Sequence, residues 1–347
     1  MISIQDIINY YMEINPNRSS STYSVMKFNL VRLEKITKKD INDLSIQDFE
    51  NTKKFVKLFE HYALNTQIQT IMGIKTFLKF KEAPESLILK WNEILKTHCD
   101  KTKVITDKNE MTEKEQKNWI EYPILKEKID DFYENEFWQQ LDRDNLTDYT
   151  KYKWTRDFLL LCLYTQLPPT RIGNYQFMKI RQKKKRSATS LDKKQNYLMI
   201  NGDDTFELVF NQYKTSKYLG QIDHTIDENN IISKILPKYL EIRANFINNK
   251  KNLALFVNKE KRDMTQSNIT DTLKYITRKV VDKELSVNLI RHIFISDFLS
   301  HNHNIEHKRK IANFMGQTYD ATMMEKYNKK KMVQDSDINS RLTITFD

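Results

Sequence analysis

Only five glycines and six prolines punctuate the 347 residues of this chain. Tight turns between β-strands draw heavily on these two residues, and phosphate-cradling loops need clustered glycines, so the scarcity argues against both an all-β protein and a nucleotide-binding loop. A mostly helical protein is expected. The length suffices for two domains that each bury a core of their own. Lys and Arg number 57 against 46 Asp and Glu, a formal net charge of +11. That excess points to a polyanionic partner, nucleic acid first and an anionic membrane surface second. No apolar run approaches the roughly 18 residues of a membrane span. The N-terminal "MISIQDIINYYMEINPN" carries acidic residues inside its apolar stretch, unlike a secretion signal. The two cysteines, Cys99 and Cys162, lie far apart without a CxxC spacing, which fits a reducing compartment and gives no disulfide framework or zinc knuckle.

Apolar residues recur at helical spacing through the first hundred residues: Met26, Leu30 and Leu33; Phe55, Phe59 and Tyr62; Ile71, Ile74 and Leu78. Helix starts are marked by "SSST" at Ser19 to Thr22, by Ser45 before "IQDFE", and by Pro84 opening "PESLILKWNEIL". Residues 1–100 therefore read as a domain of four or five helices. Residues 101–117, "KTKVITDKNEMTEKEQK", show little apolar content and no period, and read as a linker. A second domain spans 118–332. Its core begins with the long apolar helix "YTKYKWTRDFLLLCLYTQL", stopped by Pro168 and Pro169. Four short β-prone runs follow, "FMKI", "NYLMI", "FELVF" and "QIDHTI", read as a small antiparallel sheet. The helical period then returns, and 333–347 form a tail ending in "RLTITF". Between the first two strands, "RQKKKRSATSLDKK" concentrates Lys183, Lys184, Lys185 and Arg186, either a solvated loop or a phosphate-contacting one.

Four side chains stand where an apolar frame positions them. Arg171 follows "LPPT" at a helix start, where backbone amides favour an anion. Lys214 follows the strand "FELVF" near a hairpin tip. Arg291 lies in "VNLIRHIFISDFL" at the edge of a face packed by Ile290, Phe294 and Phe298. Tyr327 closes "DATMMEKYN", a run whose first turn Asp320 can cap. His301, His303 and His307 in "SHNHNIEH" sit close together, in what reads as an exposed loop without an acidic or cysteine partner at a metal-ligand spacing.

Taken together, the order Arg, hairpin Lys, Arg-His, Met-Gly-x, Tyr resembles the catalytic domain of the tyrosine recombinases, the phage-integrase-like family that shares its chemistry with type IB topoisomerases. The resemblance covers roughly residues 130 to 330. More weakly, the first domain looks like the helical core-binding domain that precedes it in that family. "TRIGNY" places Arg171 at the first family arginine, with Asn174 where the R-x-x-E-L pattern has Glu. Lys214 in "YKTSK" matches the hairpin lysine, with Lys217 close behind. "NLIRH" stands for H-x-x-R-H, so Arg291 is the second arginine, Asn288 replaces the usual His or Lys, and His292 supports the site. "MGQ" puts Gln317 at the position of the family's His or Trp. Tyr327 matches the nucleophile, Tyr319 being too near the glycine. The longer motif runs look most like those of integrases from large eukaryotic DNA viruses and their associated mobile elements.

The resemblance implies a fold, a reaction and a partner. The fold is a mainly α one, a helical core-binding domain plus an α-rich catalytic domain with a small antiparallel sheet. The partner is double-stranded DNA, on which such proteins assemble as tetramers. In the reaction, a phenolic oxygen displaces a deoxyribose 5′-oxygen and leaves a 3′-phosphotyrosyl intermediate that conserves the bond for religation. Two guanidiniums hold the non-bridging oxygens, and a lysine protonates the leaving oxygen, help typically worth about 10² to 10⁴ in rate. No metal, nucleotide or other cofactor and no membrane enters this scheme. The protein is expected inside the cell wherever the target DNA resides, the nucleus or a viral factory for a viral protein. Two alternatives stay open: supercoil relaxation by a type IB topoisomerase-like enzyme, and a DNA-binding relative that has lost catalysis through Asn288 and Gln317.

Overall fold

The computed structural model describes residues 2–183, 191–203, 205–249, 251–317 and 328–329. The chain divides into two compact units, Met1–Lys108 and the remainder from Asn109 onward.

The first unit contains α1 (Ile4–Ile14), α2 (Ser20–Thr37), α3 (Thr52–Lys57), α4 (Leu64–Phe80) and α5 (Glu85–Asp107). Its core takes the periodic positions: Met26, Leu30, Leu33, Phe55, Phe59, Ile71, Ile74 and Leu78 are buried around Trp91, whose indole N–H donates to Phe49 O at 3.2 Å. Tyr62 packs only partly into that core. Ser19 caps α2 through the Thr22 amide, whereas Ser45 opens only a short 3-10 turn, Ile46–Phe49. Gly73 lets α4 approach α2 closely, since a Cβ there would stand 3.0 Å from Asn29 Cβ. The segment read as a linker is largely helical. Residues 101–107 continue α5, and α6 (Glu113–Asn118) follows with a Thr112–Glu115 capping box. The period was missing because the end of α5 buries almost nothing, with Val104 and Ile105 exposed, and amphipathic patterning records burial rather than helicity.

In the second unit α7 (Tyr122–Phe132) passes through a π-helical turn, Tyr133–Phe137, into α8 (Trp138–Leu141). The run of apolar residues forms α9 (Asp148–Thr165), buried on all sides from Thr155 to Thr165. Against it pack α12 (Ile231–Ile247), α13 (Gln266–Val281) and α14 (Val287–Ser300); α15 (Ile305–Phe314) lies against the sheet, and α10 (Gly173–Gln176) and α11 (Ser216–Leu219) are single turns. The four β-prone runs become β1 (Lys179–Gln182), β2 (Tyr197–Ile200), β3 (Phe206–Phe210) and β4 (Ile222–Ile226), in spatial order β1-β2-β3-β4. The sheet is mixed rather than wholly antiparallel, because β1 runs parallel to β2 with Lys179 opposite Tyr197. A parallel neighbour needs a crossover of a dozen or so residues, and the long basic stretch between β1 and β2 supplies that length. Leu198, Leu208 and Phe210 face the main core, while Tyr197, Met199 and Val209 form a small cluster of their own. Most of the motif positions sit on this unit's connections and helix ends.

Candidate active site

The Pro168-Pro169 pair ends the path of α9 and delivers an extended segment to Arg171. The α10 that follows is one turn long, too short for the amide-lined anion site expected there. Arg171 is half-buried, and its Nη1 donates to the carbonyl of Gly316 at 2.8 Å. Among the described residues no other hydrogen bond or ion pair engages its guanidinium.

Gly316 is the junction of the site. After α15, its amide donates to Asn313 O at 2.8 Å and the Gln317 amide to Ala312 O at 2.9 Å, the paired bonds of a Schellman helix stop. The stop puts Gly316 at φ +65°, a left-handed conformation that glycine adopts without strain. A Cβ there would also meet Tyr213 Cδ2 at 3.0 Å. The Gly316 carbonyl accepts a second bond, from Thr215 Oγ1 at 2.6 Å. Tyr213 and Thr215 flank Lys214 in the β3–β4 connection, so the Met-Gly-Gln motif, the Lys214-bearing connection and the first arginine meet at one peptide group. Lys214 and Lys217 are themselves exposed, and Tyr213 Oη braces the connection by donating to Gly220 O at 2.7 Å.

Arg291 is not at the edge of its helix face as expected but fully buried, at 1% exposure. Its Nη1 donates to Pro169 O at 2.6 Å, which couples α14 to the segment carrying Arg171. Tyr164 lies close by; burial above all pushes its phenol well above the usual range, and the Arg291 charge works in the opposite direction. Asn288, one helical turn before Arg291, is exposed, and His292 is half-buried. Gln317 is buried at 1% exposure, and neither amide atom has a hydrogen-bond partner among the described residues.

Tyr327 lies outside the described residues, as do Tyr319, Asp320, Lys184, Lys185, Arg186, Lys330, Lys331 and the tail. Lys329, two positions after Tyr327, is placed: its backbone amide donates to Ser296 Oγ at 3.0 Å. Ser296 is five residues beyond Arg291 on α14, about 7.5 Å along the helix axis. The chain is thus fixed onto the arginine-bearing helix shortly after the candidate nucleophile. Of the other basic positions, Lys183 is exposed and 3.8 Å from the Glu207 carboxylate. Of the three histidines, His301 and His307 are exposed and His303 is half-buried, stacked on Phe298 at 4.3 Å with His307 4.9 Å away. Among the described residues no group of three or more His, Cys, Asp or Glu is placed to hold a metal ion. Sequence reasoning missed Thr215 and Ser296 and saw Pro169 only as a helix stop, because their roles arise through contacts distant in the chain.

No protein-family model and no curated protein matches the chain. Solved structures do. The XerH site-specific recombinase bound to its difH substrate is similar over 98% of this chain and 84% of that one, at 11% identity and a TM-score of 0.52. The chain has the tyrosine recombinase fold. XerA recombinase aligns with 15% identity over 97% of this chain and 96% of its own, with a TM-score of 0.35. The Tn1549 transposon integrase in complex with transposon right end DNA aligns with 12% identity over 98% of each chain, with a TM-score of 0.40. No helix among the described residues is long and apolar enough to cross a membrane.

Proposed function

We propose that this protein is a site-specific DNA recombinase of the integrase type, cutting and rejoining duplex DNA through a 3′-phosphotyrosyl intermediate on Tyr327. The observation that carries the reading is the Gly316 carbonyl, where Arg171 and the Lys214-bearing connection converge from positions far apart in sequence. Arg171 keeps guanidinium donors free of other partners among the described residues, and a phosphodiester oxygen is the natural acceptor for them. Arg291 reinforces the field from behind Pro169. Lys214, exposed beside the junction, donates the proton to the departing 5′-oxygen. Lys217 and the basic stretch from Lys183 to Arg186 contact phosphates and set register without reading bases. Residues 118–332 form the catalytic part, and the helical unit before them grips the duplex. Assembly as a tetramer on two duplexes completes strand exchange.

The likeness of the longer motif runs to integrases of large eukaryotic DNA viruses makes the ends of such mobile elements the substrates to try first. The direct test is strand exchange between two labelled duplexes carrying candidate ends. Joined products that depend on both duplexes support a recombinase. Relaxation of a supercoiled plasmid with no exchange favours the topoisomerase-like alternative. A second reading, DNA binding without chemistry, draws on Asn288 and on the burial of Gln317 away from solvent; it requires tight binding and neither product.

A further inference from the structure

The chain just after Tyr327 is fastened by a small polar clasp. Besides the Ser296 contact, Lys329 Nζ donates to Glu110 O at 3.2 Å and to Glu115 Oε2 at 3.3 Å. Both side chains are mostly covered, at 16% exposure for Lys329 and 22% for Glu115. The Lys329 charge is turned inward and met by a carboxylate. Glu115 is rigid because the same Oε2 accepts from the Thr112 amide at 2.8 Å and from Thr112 Oγ1 at 3.0 Å, closing the capping box of α6. A lysine held by one backbone and two side-chain bonds is an unusual expense of side-chain entropy for a residue with no catalytic chemistry of its own.

We infer that the Glu115–Lys329 clasp is a positioning device for the covalent step, an inference that rests on the recombinase reading above. Tyr327 precedes Lys329 by two residues, and two peptide units reach at most about 7 Å, so the clasp fastens the chain within that reach of the candidate nucleophile. An attack that demands alignment of oxygen, phosphorus and leaving group is sensitive to displacements of about an ångström, each costing as much as about a hundredfold in rate. Glu115 touches neither DNA nor reacting atoms in this scheme and acts only through Lys329.

The test is a double-mutant cycle on the full chain with Glu115→Gln, Lys329→Met and the pair combined. Glutamine keeps the capping box and removes the charge, so α6 stays intact. For each protein, the first-order rate of covalent adduct formation on a nicked duplex at saturating protein is measured beside the Kd for that duplex. We expect each single change to slow adduct formation by about tenfold or more with Kd unchanged, and the double variant to be no slower than the slower single. Unchanged rates in both singles overturn the inference, and so do independent losses that multiply in the double variant. Should the wild-type protein form no adduct on any candidate end, the recombinase reading falls and takes this inference with it. A normal wild-type adduct with unaffected variants sinks the clasp alone.

Discussion

Two clusters of basic residues in the second unit look alike in sequence and differ in what answers their charge. In α9, Arg156 sends Nε and Nη2 to Asp157 Oδ1 at 2.9 and 2.7 Å and Nη1 to Val257 O at 2.9 Å, while Lys153 reaches Asp157 Oδ2 at 2.7 Å. Lys153 also lies 4.1 Å over the Tyr275 ring. At the Gly316 junction, Arg171 bonds one carbonyl, and no carboxylate among the described residues pairs with Arg171, Lys214 or Lys217. The first cluster shares one carboxylate between its two cations and serves the fold. The second leaves its positive charge unpaired with any carboxylate among the described residues, as a site for phosphate requires. The count of lysines and arginines does not separate the two; the placement of Asp157 does.

The sharpest way to break this comparison is to remove the shared carboxylate. Asp157→Ala leaves Arg156 buried without its counter-charge and is expected to lower stability by about 3 to 5 kcal/mol in urea unfolding, with adduct formation per folded molecule unchanged. Arg171→Ala should do the reverse: about 10² to 10³ lost in the rate of adduct formation with little change in the unfolding midpoint. If both variants lose stability and chemistry together, the two clusters are not distinct. A smaller effect is expected from Lys217→Ala, which should weaken duplex binding regardless of sequence and reduce the slope of log K against log salt by about 1, whereas Lys153→Ala leaves that slope alone.

The smallest effect concerns pH. His224 packs on Phe314, two residues before Gly316, at 4.6 Å. Burial first and the Lys310 charge second hold its imidazolium below the usual range. The unfolded chain then takes up the proton more readily than the folded one. Stability is complete above the ordinary histidine value of about 6.5 and declines as pH falls below it toward the folded value. Thermal unfolding from pH 7.5 to 5.5 should show that decline, and His224→Gln should flatten it.

The sequence made much of this legible for identifiable reasons. The helical character followed from the lack of turn residues. The core of the first unit followed from period, and all four strands followed from β-prone runs. What stayed hidden depends on contacts across the chain. The parallel pairing of β1 with β2 is a matter of partner choice, invisible in either strand alone. The helix through residues 101–107 escaped notice because its exposed faces carry no pattern. Arg291 was read as an edge residue because its carbonyl acceptor, Pro169, lies 122 positions away in the chain. The glycine of "MGQ" was legible as a motif letter, yet its reason, a helix stop at positive φ pressed against Tyr213, needed the fold.

The central claim is that the converging cations serve a tyrosine that attacks DNA. Covalent trapping tests it most directly: wild-type protein and Tyr327→Phe are incubated with suicide duplexes carrying candidate element ends, then denatured and resolved. The account predicts a denaturation-resistant adduct with wild type, joined through the 3′-phosphate and absent from the Phe variant. An adduct that persists in Tyr327→Phe, or tight binding of cognate ends with no adduct at all, would contradict it.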